Sequence, residues 1–256
     1  MTLPLMISYA QNFEDVLLRR ALHDVKNGFY VDCGAQDPKL DSVTKHFYDS
    51  GWHGINIEPH PKYFAALQRE RPRDINVSTA LANAPGVATF YFVDDSGLSS
   101  LDQRTLALAS THKLKSHSAQ VELVRLDSIF EKYGVQDIHF LKVDVEGAER
   151  DVLEGANLKR YRPWIVVVEA TLPAEPTPCW EEFEPVMLTA DYIPLLFDGL
   201  NRWYVRAESA HLSEHFKLPV NIFDTFQRWR EVEWEKLRAQ QAVAPPKISF
   251  AATFGR

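Results

Sequence analysis

Short apolar runs that end in acids alternate with amphipathic stretches along most of the chain. Phe29, Tyr30 and Val31 suit a buried strand, and Asp32 follows at its carboxyl end. Residues 54–58 (GINIE), 75–80, 139–144 and 164–169 repeat the pattern, with Glu58, Asp144 and Glu169 closing three of them. Helices are predicted over 14–23, 42–50 (capped near Asp41 and stopped by Gly51), 62–71, 127–133, 148–154 and 180–190. Residues 87–93 and 120–126 read as further strands, and 192–197 with 202–205 as a hairpin turning through Asp198-Gly199. The alternation predicts βαβ units: an α/β fold with a doubly wound, mostly parallel sheet and an antiparallel hairpin at its C-terminal edge.

Two regions break the rhythm. Residues 94–119 are polar, lack clear strands and are expected to form a lid or substrate loop that is partly helical. Residues 225–242 (TFQRWREVEWEKLRAQQA) form a strongly helical run, expected to dock on the body or to pair two subunits as a homo-oligomer. Beyond Pro245-Pro246 a loose tail is expected. The expected division is therefore one domain over 1–222 and a C-terminal helix and tail over 223–256. The 256 residues are 45% hydrophobic and 25% charged, as in a soluble globular protein with a sizeable core. A net charge of −7 argues against a nucleic-acid partner. No segment approaches the roughly 20 apolar residues of a membrane span. The opening MTLPLMISYAQNFED has no basic n-region, and Cys33 and Cys179 make no disulfide framework, so a cytoplasmic location is expected.

The strand ends carry the chemistry. Gly34 lets the chain turn tightly after Asp32, with no side chain in the way of a ligand. Ligands of open α/β sheets bind at these carboxyl ends. Glu58 lies 26 residues after Asp32, close to the roughly 20-residue interval at which a carboxylate meets a ribose in dinucleotide folds. Each acid alone reads as a capped turn or a solvated strand end; the pair at this spacing reads as a nucleoside site. The turn has no G-x-G-x-x-G, and Asp37 and Asp41 put negative charge where a pyrophosphate needs amide donors. Acids around a nucleoside suit a cationic, phosphate-free cofactor such as S-adenosylmethionine, and hence a methyltransferase.

The blocks YAQNFEDVLL (9–18), FYVDCGAQDP (29–38), INIEP (55–59), DSGLSSL (95–101), FLKVDVEGAE (140–149) and FDGLNRWYV (197–205) resemble, in this order, the FkbM-type S-adenosylmethionine-dependent methyltransferases. FLKVDVEGAE is the most specific of them, and Cys33 replaces an expected aliphatic residue. The resemblance implies a class I, Rossmann-like methyltransferase fold and methyl transfer, usually to a hydroxyl oxygen of a sugar or polyketide. It also implies that the helix near Gln11, Glu14 and Asp15 packs across the methionine end of the cofactor. The cofactor site is expected from Gln11, Asp32, Gly34, Ala35, Asp37, Ser42, Glu58, Pro59, Ala80, Ser100 and Asp144.

A hydroxyl acceptor needs a general base or a divalent cation that lowers its pKa. Asp144 and Glu169 end neighbouring strands, and two oxygen donors there suit Mg²⁺; the plain alternative makes them a loop organiser and a solvated strand end. Glu146 is a further catalytic candidate, able to hold the cofactor's ammonium or the acceptor. Glu149 reads as a helix-start acid and Lys142 as a packed, paired lysine. Asp198, Asn201 and Arg202, beside Trp203 and Tyr204, are the candidate acceptor contacts for a glycan or other polyol. Without a metal, His60, His112 and His117 are the remaining bases. The competing functions are a nicotinamide-dependent oxidoreductase, disfavoured by the missing glycines, and a non-catalytic methyltransferase-like module, disfavoured by the retained acids.

Overall fold

Seven strands build the main sheet of the protein, whose computed structural model describes residues 4–243. These are β1 (Phe29–Cys33), β2 (His53–Ile57), β3 (Ile75–Val77), β4 (Phe140–Val143), β5 (Ile165–Glu169), β6 (Tyr192–Phe197) and β7 (Asn201–Arg206). Their order is β3-β2-β1-β4-β5-β7-β6. Strands β1 to β5 are mutually parallel; β7 runs antiparallel to both β5 and β6. This is the mostly parallel sheet with an antiparallel hairpin edge that the hydrophobic pattern predicts.

Side-chain alternation splits the core in two. Val31, Ile55, Leu141 and Val166 face one layer, packed on Ile129 and Phe130 of helix Leu126–Lys132 and on Val152 and Leu153 of helix Glu149–Gly155. Tyr30, Phe140, Val167 and Trp203 face the other, packed on Leu17, Leu18 and Ala21 of helix Glu14–Ala21 and on Phe47 and Trp52. Because β1 and β4 pair with Asp32 opposite Lys142, the period of two that buries Tyr30 and Phe140 also turns Asp32 and Lys142 to that second face.

Several boundaries differ from the sequence pattern, each for a local reason. The run 75–80 is not one strand. Thr79 donates to the Glu122 carbonyl at 2.9 Å, and Ala80–Leu81 leaves the main sheet to pair with Ser116–Val124. That strand also pairs antiparallel with Gly86–Val93, making a separate three-stranded sheet. The segment 94–119 is consequently not a strandless lid: it contains the helix Arg104–Thr111 and the start of the strand Ser116–Val124. The helix expected over 42–50 shortens to Lys45–Asp49, since Asp41 has φ +55 and the Ser42 and Thr44 side chains are taken up in buried hydrogen bonds. The helix expected over 180–190 breaks at Phe183, leaving a 3₁₀ turn, Trp180–Glu182, and an α-helix, Glu184–Thr189, with Pro185 in its first turn.

The C-terminal run is a helix only from Trp229 to Val243; Phe226–Arg228 forms a strand parallel to Met6–Ser8. The tail beyond Pro246 lies outside the described residues. Among the described residues, no helix is long and apolar enough to cross a membrane.

Three strand ends are laced together at Gly34. Its N–H donates to the Ile57 carbonyl at 3.0 Å, Ala35 N–H donates to the same oxygen at 3.2 Å, and Asp144 N–H donates to the Cys33 carbonyl at 3.0 Å. Gly34 has φ +79, and a Cβ there would run into the Asp144 carbonyl oxygen. Gly34→Ala is therefore expected to cost more than about 1 kcal/mol from the left-handed backbone alone, with the clash added. Urea unfolding checks this, and a variant as stable as the parent would show that the β1–β4 approach is not fixed by this glycine.

Candidate active site

The carboxyl ends of β1 to β5 open onto one cavity of about 580 Å³, within the roughly 300–1,000 Å³ typical of small-molecule sites. Gly34, Gln36, Leu40 and Asp41 line it from the segment after β1, and Glu58, Pro59 and Tyr63 from the segment after β2. Ala80 and Leu81 follow β3, Asp144 to Glu146 follow β4, and Glu169 closes β5. Gln11 borders one end; Thr171, Glu175, Gly199 and Leu200 complete the lining beyond β5. The polar loop contributes Asp95 to Ser99 and Leu101. Every charged side chain in this lining is an acid.

Glu58 is 5% exposed, and its two oxygens accept from Gln36 N–H at 2.8 Å and His60 N–H at 2.7 Å. Each oxygen keeps a lone pair, which two ribose hydroxyls could use. Burial pushes its pKa up to about 7, with the two amide donors opposing. Five other cofactor candidates also line the cavity: Gln11, Gly34, Pro59, Ala80 and Asp144.

At the other end Asp144, Glu146 and Glu169 converge, each offering a carboxylate oxygen within 4.8 Å of the others. Burial, reinforced by Asp144 and its neighbouring acids, pushes Glu146 and Glu169 well above the usual carboxylate range. Three like charges so close cannot all ionise, so the trio retains protons near neutrality. Asp144 is held by Lys142, whose Nζ lies 2.9 Å from Oδ2 and 3.7 Å from Asp32 Oδ1. Burial alone would lower the Lys142 pKa, but Asp144 and Asp32 outweigh it and keep the ammonium charged. The turn beneath is set by Glu149, whose carboxylate accepts from Val145 N–H at 3.1 Å and Gly147 N–H at 3.0 Å. Glu149 is thus a loop organiser as well as a helix-start acid.

Other candidates lie outside the cavity lining. Asp32 is 1% exposed and accepts from Thr44 Oγ1 at 3.1 Å; Ala35 is buried beneath the turn. Asp37 accepts from Lys39 N–H and Leu40 N–H, both at 2.8 Å, and so closes the loop. Ser42 is buried against Arg71 Nη2 at 3.0 Å. Ser100 donates to the Glu146 carbonyl at 2.6 Å, tying the polar loop to the acid-rich turn.

The proposed acceptor cluster turns inward on itself. Asp198 accepts from Asn201 N–H at 2.7 Å and Trp203 Nε1 at 2.7 Å; Asn201 donates to Glu14 at 2.9 Å; Arg202 binds Glu184 at 2.7 Å. Their neighbours Gly199 and Leu200 face the cavity instead. None of His60, His112 and His117 lines it. His60 is buried between Tyr63 and Phe92, His112 caps the helix Arg104–Thr111, and His117 stacks on Phe92.

Sequence reasoning missed Gln36, Tyr63, Thr171 and Glu175. Backbone strain gathers at this cavity: Gln36, Asp41, Asp95, Glu146 and Ala174, all non-glycine residues with positive φ, line it.

A titration follows from Glu58. Its folded pKa of about 7 lies above its ordinary 4.5, so the folded state binds the extra proton. The stability due to this group is full below about pH 4.5 and is lost as pH rises through about 7. In the cofactor-free protein, the stability difference between parent and Glu58→Ala should therefore shift in favour of the variant by up to about 3 kcal/mol between pH 4.5 and 8. Urea titrations of both proteins measure it; a pH-independent difference would refute the buried-acid assignment.

The FkbM methyltransferase domain, as a family description, matches residues 32–196, more than half of the chain. Among solved structures the chain is similar to the FkbM methyltransferase of Methylobacillus flagellatus at 17% identity and a TM-score of 0.41. That alignment covers 70% of this chain and 43% of the other, so the chain spans less than half the length of that relative. It is also similar to a TehB-like SAM-dependent methyltransferase of Corynebacterium glutamicum, at 9% identity and a TM-score of 0.40, covering 75% of this chain and 87% of the other. No curated protein matches the sequence. With the domain match placed on the strands and turns that form the cavity, the chain belongs to the FkbM methyltransferase family.

Proposed function

We propose that the protein transfers a methyl group from S-adenosylmethionine to a hydroxyl of a sugar, a glycan or another polyhydroxylated metabolite. The observation that carries this reading is one cavity with Glu58 on one side of β1 and the Asp144–Glu146–Glu169 trio on the other. Strands spaced about 4.8 Å apart put β2 and β4 roughly 10 Å from one another, room for a nucleoside at one acid and a reacting centre at the others. An all-acid lining repels the pyrophosphate of a nicotinamide dinucleotide and suits a cofactor bearing a sulfonium and an ammonium.

Glu58 takes the ribose, Gly34 and Gln36 bring backbone against the nucleoside, and Gln11 borders the methionine end. The acceptor oxygen attacks the methyl carbon in line, and the carbon–sulfur electron pair returns to sulfur, leaving a neutral thioether. The hydroxyl proton passes to Asp144 as base, which Lys142 holds in place, with Glu146 and Glu169 beside it. The three carboxylates also fit a hard divalent cation such as Mg²⁺, with Asp144 and Glu169 as principal donors and Glu146 beside them, although Lys142 already holds one Asp144 oxygen. Such a cation would stabilise the acceptor alkoxide.

Calorimetry with S-adenosylhomocysteine tests the cofactor, and Glu58→Ala should weaken its binding by about 1–3 kcal/mol. NAD and NADP should leave the melting midpoint unchanged; protection by either, with none from S-adenosylhomocysteine, would overturn the reading. Labelled-methyl transfer to a panel of sugars and glycolipids tests the chemistry. Asp144→Asn should abolish turnover at neutral pH with cofactor affinity little changed, and chelator separates a cation-assisted from a carboxylate-only reaction. An active Asp144→Asn that is also insensitive to chelator would remove Asp144 from both roles.

A further inference from the structure

The loop at residues 38–41 supplies Leu40 and Asp41 to the cavity wall next to Gln11. Asp41 holds φ +55, a left-handed backbone that a non-glycine residue keeps only where its surroundings over-determine it. From inside, Arg71, fully buried, donates to the Pro38 carbonyl and to Ser42 Oγ. An isolated bridge pairs Asp41 with Ala10, the residue before Gln11.

From outside, the first residues of the C-terminal helix contact two residues of this loop, Lys39 and Asp41. Arg230 Nη2 lies 2.9 Å and 2.8 Å from the two oxygens of Asp41. Lys39 Nζ sits 4.4 Å from the centre of the Trp229 ring, and the Tyr9 ring stacks on Trp229 at 6.2 Å. These contacts require the strand Phe226–Arg228 to lie on Met6–Ser8, which Arg19 and Arg20 secure by gripping Asp224. Trp229 and Arg230 lie beyond residues 32–196, the span of the family description.

Resting on the cofactor reading above, we infer that Trp229 and Arg230 are positioning residues. They hold the strained loop at 38–41 in the shape that binds S-adenosylmethionine, so that docking of the C-terminal helix and cofactor binding favour each other. An exposed ion pair such as Arg230–Asp41 adds little to global stability. It can still decide which loop conformation is populated, and a ligand that binds only the held form loses affinity in proportion to the fraction lost. The coupling is reciprocal: bound cofactor protects the docked helix.

The test compares Arg230→Gln, Trp229→Ala and the double variant with the parent protein. The double variant should bind S-adenosylhomocysteine about 5- to 10-fold more weakly by calorimetry. Its KM for S-adenosylmethionine should rise by a similar factor, with kcat at saturating cofactor within about twofold of the parent. Amide exchange at residues 36–41 should speed up in the free variant and slow on ligand addition. A lowered melting midpoint with unchanged cofactor affinity would make these residues structural only and overturn the inference. Should Trp229→Ala fail to fold, Arg230→Gln, a surface change, carries the same measurements, and unchanged affinity and exchange in it also overturn the inference. If the parent itself binds no S-adenosylhomocysteine, the cofactor reading falls. Exchange at 36–41 in free Arg230→Gln then decides the clamp alone: faster exchange supports it, unchanged exchange rejects it.

Discussion

Lys142 lies buried between Asp32 and Asp144, at the carboxyl ends of the two central strands, and the acid-rich cavity depends on it. The placement follows from register: in-phase pairing of β1 and β4 sets Lys142 opposite Asp32, and Asp144 is two residues further on, over the same face. One ammonium is thereby shared between two acids, 2.9 Å from Asp144 and 3.7 Å from Asp32. Removing one partner from such a buried group typically costs about 3–5 kcal/mol, because the remaining charge is stranded. Asp32 therefore serves the site from beneath, by fixing the lysine that fixes Asp144.

The same constraint explains which parts of the site were legible in the sequence. Strand-end acids stand out because an apolar run must stop somewhere, and a carboxylate at that point has the strand's geometry imposed on it. Glu58, Asp144 and Glu169 are strand-end acids of this kind, and the structure brings them to one cavity. Gly34 was legible because a close approach of two backbones leaves no room for a Cβ. The polar residues of the hairpin were not legible. Asp198, Asn201 and Arg202 have the composition of a polyol site, yet their groups are spent on Trp203, Glu14 and Glu184. Asn201 and Glu14 are 187 residues apart, and no local pattern announces that contact. The turn remained visible in sequence; the direction each side chain took within it was decided by tertiary partners.

Boundaries slipped for a related reason. Hydroxyls at Ser42, Thr44 and Thr79 read as helix starts or strand residues, but each is committed to a distant group. A side-chain hydrogen bond of this kind competes with the backbone ladder, shortening a helix in one case and diverting a strand in another. The polar segment after Val93 shows the opposite effect: low hydrophobicity suggested a long loop, whereas pairing with Gly86–Val93 makes a nine-residue strand of Ser116–Val124. A strand outside the main core needs few apolar residues, so the hydrophobic pattern under-reports it.

Strain and burial work together around the cavity. The left-handed residues Gln36 and Asp41 lie in the loop after β1 and Glu146 in the loop after β4, and charged side chains fix the backbone around each of them. Glu58 accepts from Gln36 N–H; Arg71 and Arg230 grip the two sides of the Asp41 loop; Glu149 holds the amides around Glu146. A loop anchored by a specific ion or amide pair can keep a backbone geometry that its own sequence disfavours, whereas apolar packing alone would let it relax. The chain thus spends buried charge on positioning rather than on stability. The acids with raised pKa values at the cavity are the cost of that choice, and a cofactor carrying positive charge is the kind of ligand that offsets it.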